Sequence, residues 1–263
     1  MASPARPSSL AWTEGPFRLV QTPKCKYQND QTSVYTDDCV EVASEMAIVH
    51  NSIIRGLNTI YLQAPHVKSS DFRDFIGYCH CWYEVLQAHH HGEENNLFPW
   101  IEEAVGEKGI MDVNREQHRA FLSGVEAYKE YLLSLTGNEE VFSGERLCSI
   151  IDSFGQELQD HLEEEIVTLL ELSKYGQCVK LRQLWEQEGQ QTLSRMLRTG
   201  ALPFFFLNHD VTYEDGLWKD WPPAPAAVKW AIRHIFSWWN AGYWKFASCD
   251  TSGVPQPLHV SMR

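Results

Sequence analysis

Residues 89–99 read HHHGEENNLFP, and residues 160–172 read DHLEEEIVTLLEL. Each stretch places a glutamate four residues after a histidine, His89 with Glu93 and His161 with Glu165. On an α-helix, residues four apart lie on one face about 6 Å from each other, so both side chains of a pair can reach one metal ion. The two stretches therefore predict two helices that each carry a bidentate metal-binding pair.

Two further histidines lie in helical patterns of their own. His50 occurs in AIVHNSIIRGLNTIYL and His118 in NREQHRAFLSGVEAY, where apolar residues recur at helical spacing. A helical bundle builds a metal site from side chains that facing helices project into its core. The four segments together predict an all-α protein, an up-down four-helix bundle that holds a dinuclear metal site.

Capping residues and helix breakers set the expected helix boundaries. The four predicted helices run from Thr36 to about Gln63, from Ser70 to about Trp100 or a little beyond, from about 113 to 135, and from about Ser143 to Tyr175. Pro99 should kink or cap the second helix rather than abolish it, and Gly176 should cap the fourth. A fifth helix over about 178–198 is expected to pack across the outside.

The chain divides into three parts by composition. Residues 1–35 lack periodicity and are expected to be irregular, residues 36–176 form the bundle, and residues 177–263 add the extra helix and an aromatic-rich, mostly helical or irregular extension. From about residue 199 the extension carries six of the ten tryptophans, so its aromatic surface should be buried by docking on the bundle. The alternative is an interfacial amphipathic helix in 226–239, AAVKWAIRHIFSWW, although its basic residues are few.

Composition narrows the classes of partner. The formal net charge of -13 disfavours nucleic-acid binding, which depends on phosphate neutralisation by Lys and Arg. We find neither a signal-peptide core nor an apolar run of the roughly 18 residues needed to span a bilayer, and we expect a soluble cytoplasmic protein. The seven cysteines lack paired spacing and should be mostly free thiols.

The donor set favours a metal over its alternative, a salt-bridged surface cluster. A buried glutamate is costly unless it is paired or coordinated, and Glu93 and Glu165 both fall on otherwise apolar helix faces. A His/Glu set without cysteine favours iron or manganese over structural zinc. Six protein ligands do not saturate two octahedral ions, so positions stay open for O2 or a substrate.

At this point the motifs resemble a known family. HNSIIRGLN, HHHGEENNLFP, EQHRAF and HLEEE follow one another over about residues 37–175, as in the hemerythrin-like HHE cation-binding family. The resemblance implies a bundle that holds two non-haem irons and binds O2. It also implies that His50 and His118 are single ligands, while the two His/Glu pairs span both ions. The segment LNHDVTYEDG and the aromatic tail are similar to the extension of many fungal members.

One position departs from the resemblance. Oxygen-carrying hemerythrins have two histidines one turn apart on the third helix, and here Asn114 stands where the first would be. Because an amide is a poor iron ligand, we expect an extra open position, which favours O2 activation over reversible carriage. His90 points about 100° away from His89 and is a candidate spare ligand, whereas His91 should be solvated. Glu94, Glu163 and Glu164 are expected on outer helix faces, although any of them could orient a ligand histidine.

Three functions follow as hypotheses. The first is a di-iron oxidase or oxygenase that activates O2 for a small organic substrate, since the aromatic tail is large enough to roof a substrate pocket; the sequence leaves open whether the tail covers the site or lies on a distant face. The second is a non-catalytic O2 or iron carrier, store or redox sensor, because the fold itself implies no chemistry. The third is a purely structural metal site. Manganese and zinc remain alternatives to iron, and the oligomeric state is not indicated.

Overall fold

The described part of the chain is mainly helical. The computed structural model describes residues 15–27, 35–196, 198 and 200–260. In chain order the helices are α1 (Pro23–Tyr27), α2 (Asp37–Gln63), α3 (Phe72–Gly92), α4 (Phe98–Val105), α5 (Asp112–Ser134), α6 (Gly144–Asp152), α7 (Gly155–Glu171), α8 (Leu181–Arg195) and α9 (Ala201–Leu207), followed by Tyr213–Gly216 and Ala226–His234. No β-strand occurs in these ranges, so the predicted all-α class is confirmed.

Four of the helices form a bundle. α2 packs against α7, α7 against α5, α5 against α3, and α3 against α2, which closes the ring. Apolar side chains from all four fill the interior, among them Met46, Trp82, Phe121 and Leu158. Most of the stability of such amphipathic helices comes from this burial rather than from helix propensity. The predicted four-helix bundle is confirmed.

The first and third helices begin and end close to the predicted residues. Thr36 caps α2, because its side chain accepts a hydrogen bond from the Cys39 N–H at 3.4 Å. Asp37 and Asp38 place negative charge in the first turn, where it favours the helix dipole. α2 ends at Gln63, shortly before Pro65, and α5 differs from its predicted bounds by one residue at each end.

The second predicted helix is continuous, but one turn of it is π-helical rather than α-helical. α3 passes into a π-helical turn, Glu93–Leu97, and then into α4, which ends at Gly106 with φ of 76°. In the π turn the Phe98 N–H donates to the Glu93 carbonyl, five residues back. This turn accommodates Pro99, which has no N–H to donate, so the helix continues as predicted. π turns of this kind are frequent at functional sites.

The prediction of a single fourth helix over 143–175 is wrong. The chain forms α6 and α7 with a break at Ser153 and Phe154. The break directs Phe154 into the bundle core, where its ring lies 6.0 Å from that of Trp82. A side chain at Gly124 would come within 2.5 Å of the Phe154 Cβ, so this fit depends on the glycine. Local periodicity carries no information on such a long-range contact.

The described part of the N-terminal segment lies along α2. Asn58 accepts from the Phe17 N–H at 2.9 Å and donates to the Phe17 carbonyl, and Asn51 does the same with Val20. A short helix, α1, follows these contacts, so the prediction of an irregular segment is wrong for Pro23–Tyr27. Residues 1–14 and 28–34, also predicted to be irregular, lie outside the described residues.

The extension docks on the bundle, largely as expected. α8 lies across α2 and α3, with bounds inside the predicted 178–198. α9 packs on α3 and α2, where the Phe204 ring lies 4.9 Å from the ring of Tyr78 on α3 and covers Gly56 on α2. An ion pair between Arg55 and Asp210 at 3.0 Å is wholly buried between α2 and the segment after α9. The docking therefore combines aromatic burial with one buried charge pair.

Part of the aromatic surface stays exposed, contrary to the expectation that it is buried. Trp230, Trp238 and Trp239 are 57–73% exposed. They lie in and just after the helix Ala226–His234, whose inner residue Ile232 is buried. None of the described helices has the length and apolar character needed to cross a bilayer.

Candidate metal centre

The six residues predicted as ligands meet in the bundle core. His50 comes from α2, His89 and Glu93 from α3 and the π turn that follows it, His118 from α5, and His161 and Glu165 from α7. All six are buried, with at most 7% of any one exposed. Their burial rules out the alternative of a salt-bridged surface cluster.

The donor atoms fall into two groups that share one carboxylate. The first group is His50, His89, Glu93 and Glu165, and the second group is His90, Glu93, His118 and His161. Within each group the candidate ligand atoms lie within 4.8 Å of one another. Glu93 belongs to both groups, so it is placed to bridge two metal ions.

His90 belongs to the second group of donors, although the sequence indicates it only as a candidate spare ligand. A rotation of about 100° per residue places Glu93 about 40° around the helix from His89, between His89 and His90. The two histidines therefore flank the shared carboxylate, and each can serve a different ion. That angular position of Glu93 was the signal that could have identified His90. His91 is exposed, as predicted.

A hydrogen bond at the outer ring nitrogen, Nδ1, orients each of His50, His118 and His161. The Nδ1–H of His50 donates to the Leu162 carbonyl at 2.7 Å. His118 Nδ1 lies 2.8 Å from a carboxylate oxygen of Glu94, one of the three glutamates expected as possible partners of a ligand histidine. Each partner is an acceptor, so Nδ1 carries the proton and Nε2 presents its lone pair to the core.

His161 is oriented by Gln117, which is itself held by Glu164. Its Nδ1 lies 3.1 Å from Gln117 Oε1, while the amide nitrogen of Gln117 donates to the Glu164 carboxylate. Because the glutamine nitrogen is engaged by Glu164, the atom facing His161 is the oxygen, which can only accept. His161 Nε2 is therefore also an unprotonated nitrogen that faces inward.

The facing nitrogens fit a metal better than they fit each other. His118 Nε2 and His161 Nε2 lie 2.9 Å apart, although both present lone pairs. Two lone pairs repel at this separation. Metal–nitrogen bonds of about 2.1 Å at right angles would place two nitrogens about 3.0 Å apart, so the observed spacing suits two ligands of one cation.

The carboxylates of Glu93 and Glu165 also fit a metal ion better than they fit their protein neighbours. No described residue donates a hydrogen bond to either oxygen of Glu93 or Glu165. Their near neighbours are imidazole nitrogens, 3.0 Å away at His89 and 3.3 Å at His50. Burial, and then the charge of Glu165, raises the pKa of Glu93 well above its usual value. A cation would offset this cost and keep the pair ionised.

Burial also favours the ligand form of the histidines. It lowers the pKa of His89, His90 and His161, and the neighbouring imidazoles lower these values further. Neutral imidazole is the form that binds metal. The donor set therefore fits metal ions on the chemistry of its own atoms.

Comparison with known proteins identifies the family. The family model described as the hemerythrin HHE cation binding domain matches residues 42–172, which span α2 to α7. The chain belongs to the hemerythrin HHE cation-binding family. The resemblance inferred from the motifs is thus confirmed.

A curated relative extends the similarity beyond the hemerythrin domain. "Dimeric xanthone biosynthesis cluster protein R11" of Cryptosporiopsis sp. (strain 8999) is 33% identical over 249 residues, which cover 94% of this chain and 92% of that protein. That coverage includes much of the extension that follows the hemerythrin domain. No solved structure matches the chain.

Asn114 occupies a distinctive place in this hemerythrin domain. It is wholly buried on α5 one turn before His118, and no described group hydrogen-bonds its side-chain amide. His90 gives the second group a fourth candidate donor, and the expectation that the asparagine leaves an extra open position stays a prediction. The two groups are therefore equal in donor number.

An open cavity adjoins the second group. Its volume is about 280 Å³, and it lies between α3 and α5 with His90 and His118 in its wall. Phe121 and Leu122 form an apolar part of the wall, and Arg119 also lines it. No lining residue of this cavity comes from the aromatic tail, so the tail does not roof it. The tail docks instead around Tyr78 on α3.

Proposed function

We propose that this hemerythrin-family protein is a non-haem di-iron protein that binds and activates O2, and that it acts as an oxidase or oxygenase on a small organic substrate. The observation that carries the proposal is the pair of His/Glu groups sharing Glu93 beside an open cavity. A bridged pair of ions with access from outside is an arrangement suited to O2 chemistry.

Each of the two donor groups would bind one metal ion. His50, His89 and Glu165 would hold the first ion together with one oxygen of Glu93. A separate set, His90, His118 and His161, would hold the second ion with the other oxygen of Glu93. Four protein donors leave an octahedral ion with open positions, and the cavity lies beside the second group.

The donor types favour iron, with manganese as the nearest alternative. Imidazole and carboxylate are the ligands of each group, and among the described residues no cysteine belongs to either. Thiolate would favour zinc or an iron–sulfur cluster, whereas mixed nitrogen and oxygen donors suit iron and manganese. When bound, two ferrous ions would supply electrons to O2.

The chain's own residues prepare the site. Leu162, Glu94 and Gln117 hold the imidazoles with their lone pairs inward, which lowers the reorganisation needed to bind metal. The surrounding apolar side chains exclude water from the carboxylates and strengthen their attraction for a cation. Phe121 packs against His118 and His161, with ring centroids 5.8 and 5.5 Å away, and gives both imidazoles an apolar neighbour.

The relative supports an organic substrate rather than carriage of O2 alone. That protein is named for a biosynthesis cluster. Its similarity over nearly the whole chain favours a role on a biosynthetic small molecule for the present protein as well. The cavity beside the second group offers a place for such a molecule.

The test is the metal content and the optical spectrum of protein loaded with iron(II) without air. We expect two irons per chain, and a loss of bound iron in His89→Ala and Glu165→Ala. His91→Ala is the matched control, because His91 is exposed and belongs to neither group.

Admitting air and then removing it separates the functions. A spectrum that changes irreversibly to a ferric form supports O2 activation. A change that reverses under argon would overturn activation and identify an O2 carrier or sensor. Unchanged metal content in both ligand variants would overturn the assigned metal site.

A further inference from the structure

The cavity between α3 and α5 is the size of a small-molecule site. Its volume of about 280 Å³ is at the low end for ligand pockets, enough for one compound of one or two rings. His90 and His118 lie in its wall, so a bound molecule would abut the second metal group. The cavity is therefore placed to hold a reactant rather than a distant effector.

One wall of the cavity is apolar. Phe121 and Val125 are almost fully buried and contribute to the lining, and Leu122 lines it while 48% exposed. The three residues follow helical spacing along α5, so they form a continuous surface. Such a wall favours the hydrocarbon part of a ligand.

The cavity also carries an unpaired cation. Arg115 is held by Glu102 at 2.7 Å and by Asp112 at 2.8 Å, so its charge is already neutralised. The other guanidinium, that of Arg119, has no hydrogen bond or ion pair with any residue the structure describes, and it lines the same cavity. Glu94, the lining carboxylate, is engaged by His118.

Arg119 is exposed at the edge of this apolar wall, so its unpaired charge is accessible to a ligand that enters the cavity. Arginine offers a planar array of donors that suits carboxylates. The arrangement thus combines a hydrophobic surface, a free guanidinium and a metal group within one cavity.

We propose that this cavity binds a small, mainly apolar organic anion, with its anionic group at Arg119 and its hydrocarbon part on Phe121 and Leu122. The proposal rests on the proposed function, because it names the substrate class of the same metal centre. The anion is anchored at the mouth, and its far end faces His90 and His118. Arg119 is therefore a substrate-positioning residue.

The test measures binding and needs no O2 chemistry. The full chain is loaded with zinc, which is redox-inert, and titrated by calorimetry with 2-naphthoate and with its neutral analogue 2-naphthamide. We expect Arg119→Ala to weaken binding of naphthoate about tenfold, the size of a charge-assisted pair near a surface, and binding of naphthamide less than twofold. Arg119→Lys should retain most of the affinity for naphthoate.

A matched control isolates the local charge. Arg73 is exposed near the start of α3, about 25 Å along the helix from His90 at 1.5 Å per residue. Arg73→Ala removes the same charge and should leave both probes bound as in the unaltered protein. Equal weakening of naphthoate binding by Arg73→Ala and Arg119→Ala would overturn the proposal, because only the net charge would then matter.

Two further results would also overturn it. Undiminished naphthoate binding in Arg119→Ala would show that the anion is held by the metal alone. Undiminished binding of both probes in Leu122→Trp, which fills the cavity from its wall, would place the probes elsewhere. The iron-loaded protein tests the proposed function separately: normal O2 reactivity without anion binding overturns only this inference, and anion binding without O2 reactivity overturns only the proposed function.

Discussion

Replacing His90 by alanine removes one of the four donors of the second group and leaves the first group intact. The Nε2 atom of His90 is buried and has no hydrogen-bond partner among the described residues, so its loss breaks no other polar contact. The helix itself should be unaffected, because alanine is the best helix former. The perturbation therefore acts on metal binding rather than on the fold.

The magnitude follows from the donor number. Four-ligand protein sites bind a divalent metal with about 10–16 kcal/mol, or about 2.5–4 kcal/mol for each ligand. Loss of one of four donors should therefore weaken the second ion about 100- to 1,000-fold. The first ion should keep its affinity, since its four donors are unchanged.

The assay is a titration with a chelator of known affinity, followed by metal analysis of the retained protein. We expect two ions to be lost in two steps, with only the weaker step shifted in His90→Ala. His91→Ala serves as the control, because it makes the same change at the next position, where the side chain is exposed.

Asn114→Ala decides between two donors for the second ion. Asn114 is buried one turn from His118, as a ligand in this position would be. If Asn114→Ala weakened the second ion and His90→Ala did not, the assignment of His90 would be refuted. The reverse result would show that His90 supplies the nitrogen that the asparagine cannot.

Three other predictions concern the surroundings of the site and the docked extension. Glu94→Gln should weaken the second ion about 10- to 100-fold and leave the first unchanged, because Glu94 orients His118; equal loss of both ions in a chelator titration would contradict this. Asp210→Asn should cost about 3–5 kcal/mol by leaving the buried charge of Arg55 without its partner, and a thermal melt should show a fall of about 10 °C; a shift below 2 °C would argue against it. Burial, and then the charge of Arg233, lowers the pKa of His209 to about 4, so below pH 6.5 the unfolded chain binds a proton that the folded chain does not. Stability should therefore fall by about 2 kcal/mol from pH 7 to pH 5, and His209→Gln should remove that part of the pH dependence of unfolding.

The sequence was enough to predict the elements that depend on local chemistry. Thr36 and the two aspartates after it predict the start of α2, because a cap acts within one turn of helix. The spacing of each His/Glu pair predicts that its two side chains lie together, because residues four apart share one helix face wherever that helix packs. Helical periodicity placed His50 and His118 on inner helix faces, and the resemblance of the four motifs to the hemerythrin-like family implied the kind of bundle that joins all six donors.

Other features depended on contacts between distant segments. The break at Phe154 exists because Gly124 leaves room for its ring, and the two are remote in sequence. His90 joins the second group because α5 and α7 bring His118 and His161 to its side of α3. Helical periodicity places a residue on a face, but it does not say which neighbour covers that face.

The tail shows the same division. Its composition indicated that aromatic surface must find a partner, and Phe204 finds one on α3, but Trp238 and Trp239 stay exposed. The sequence by itself determined the helices, the donor types and their local pairing, which rest on interactions within a few residues. Tertiary structure alone decided that Glu93 bridges two groups, that His90 completes the second, and that the cavity opens between α3 and α5. These features depend on how the helices pack, and packing is set by the sum of many long-range contacts.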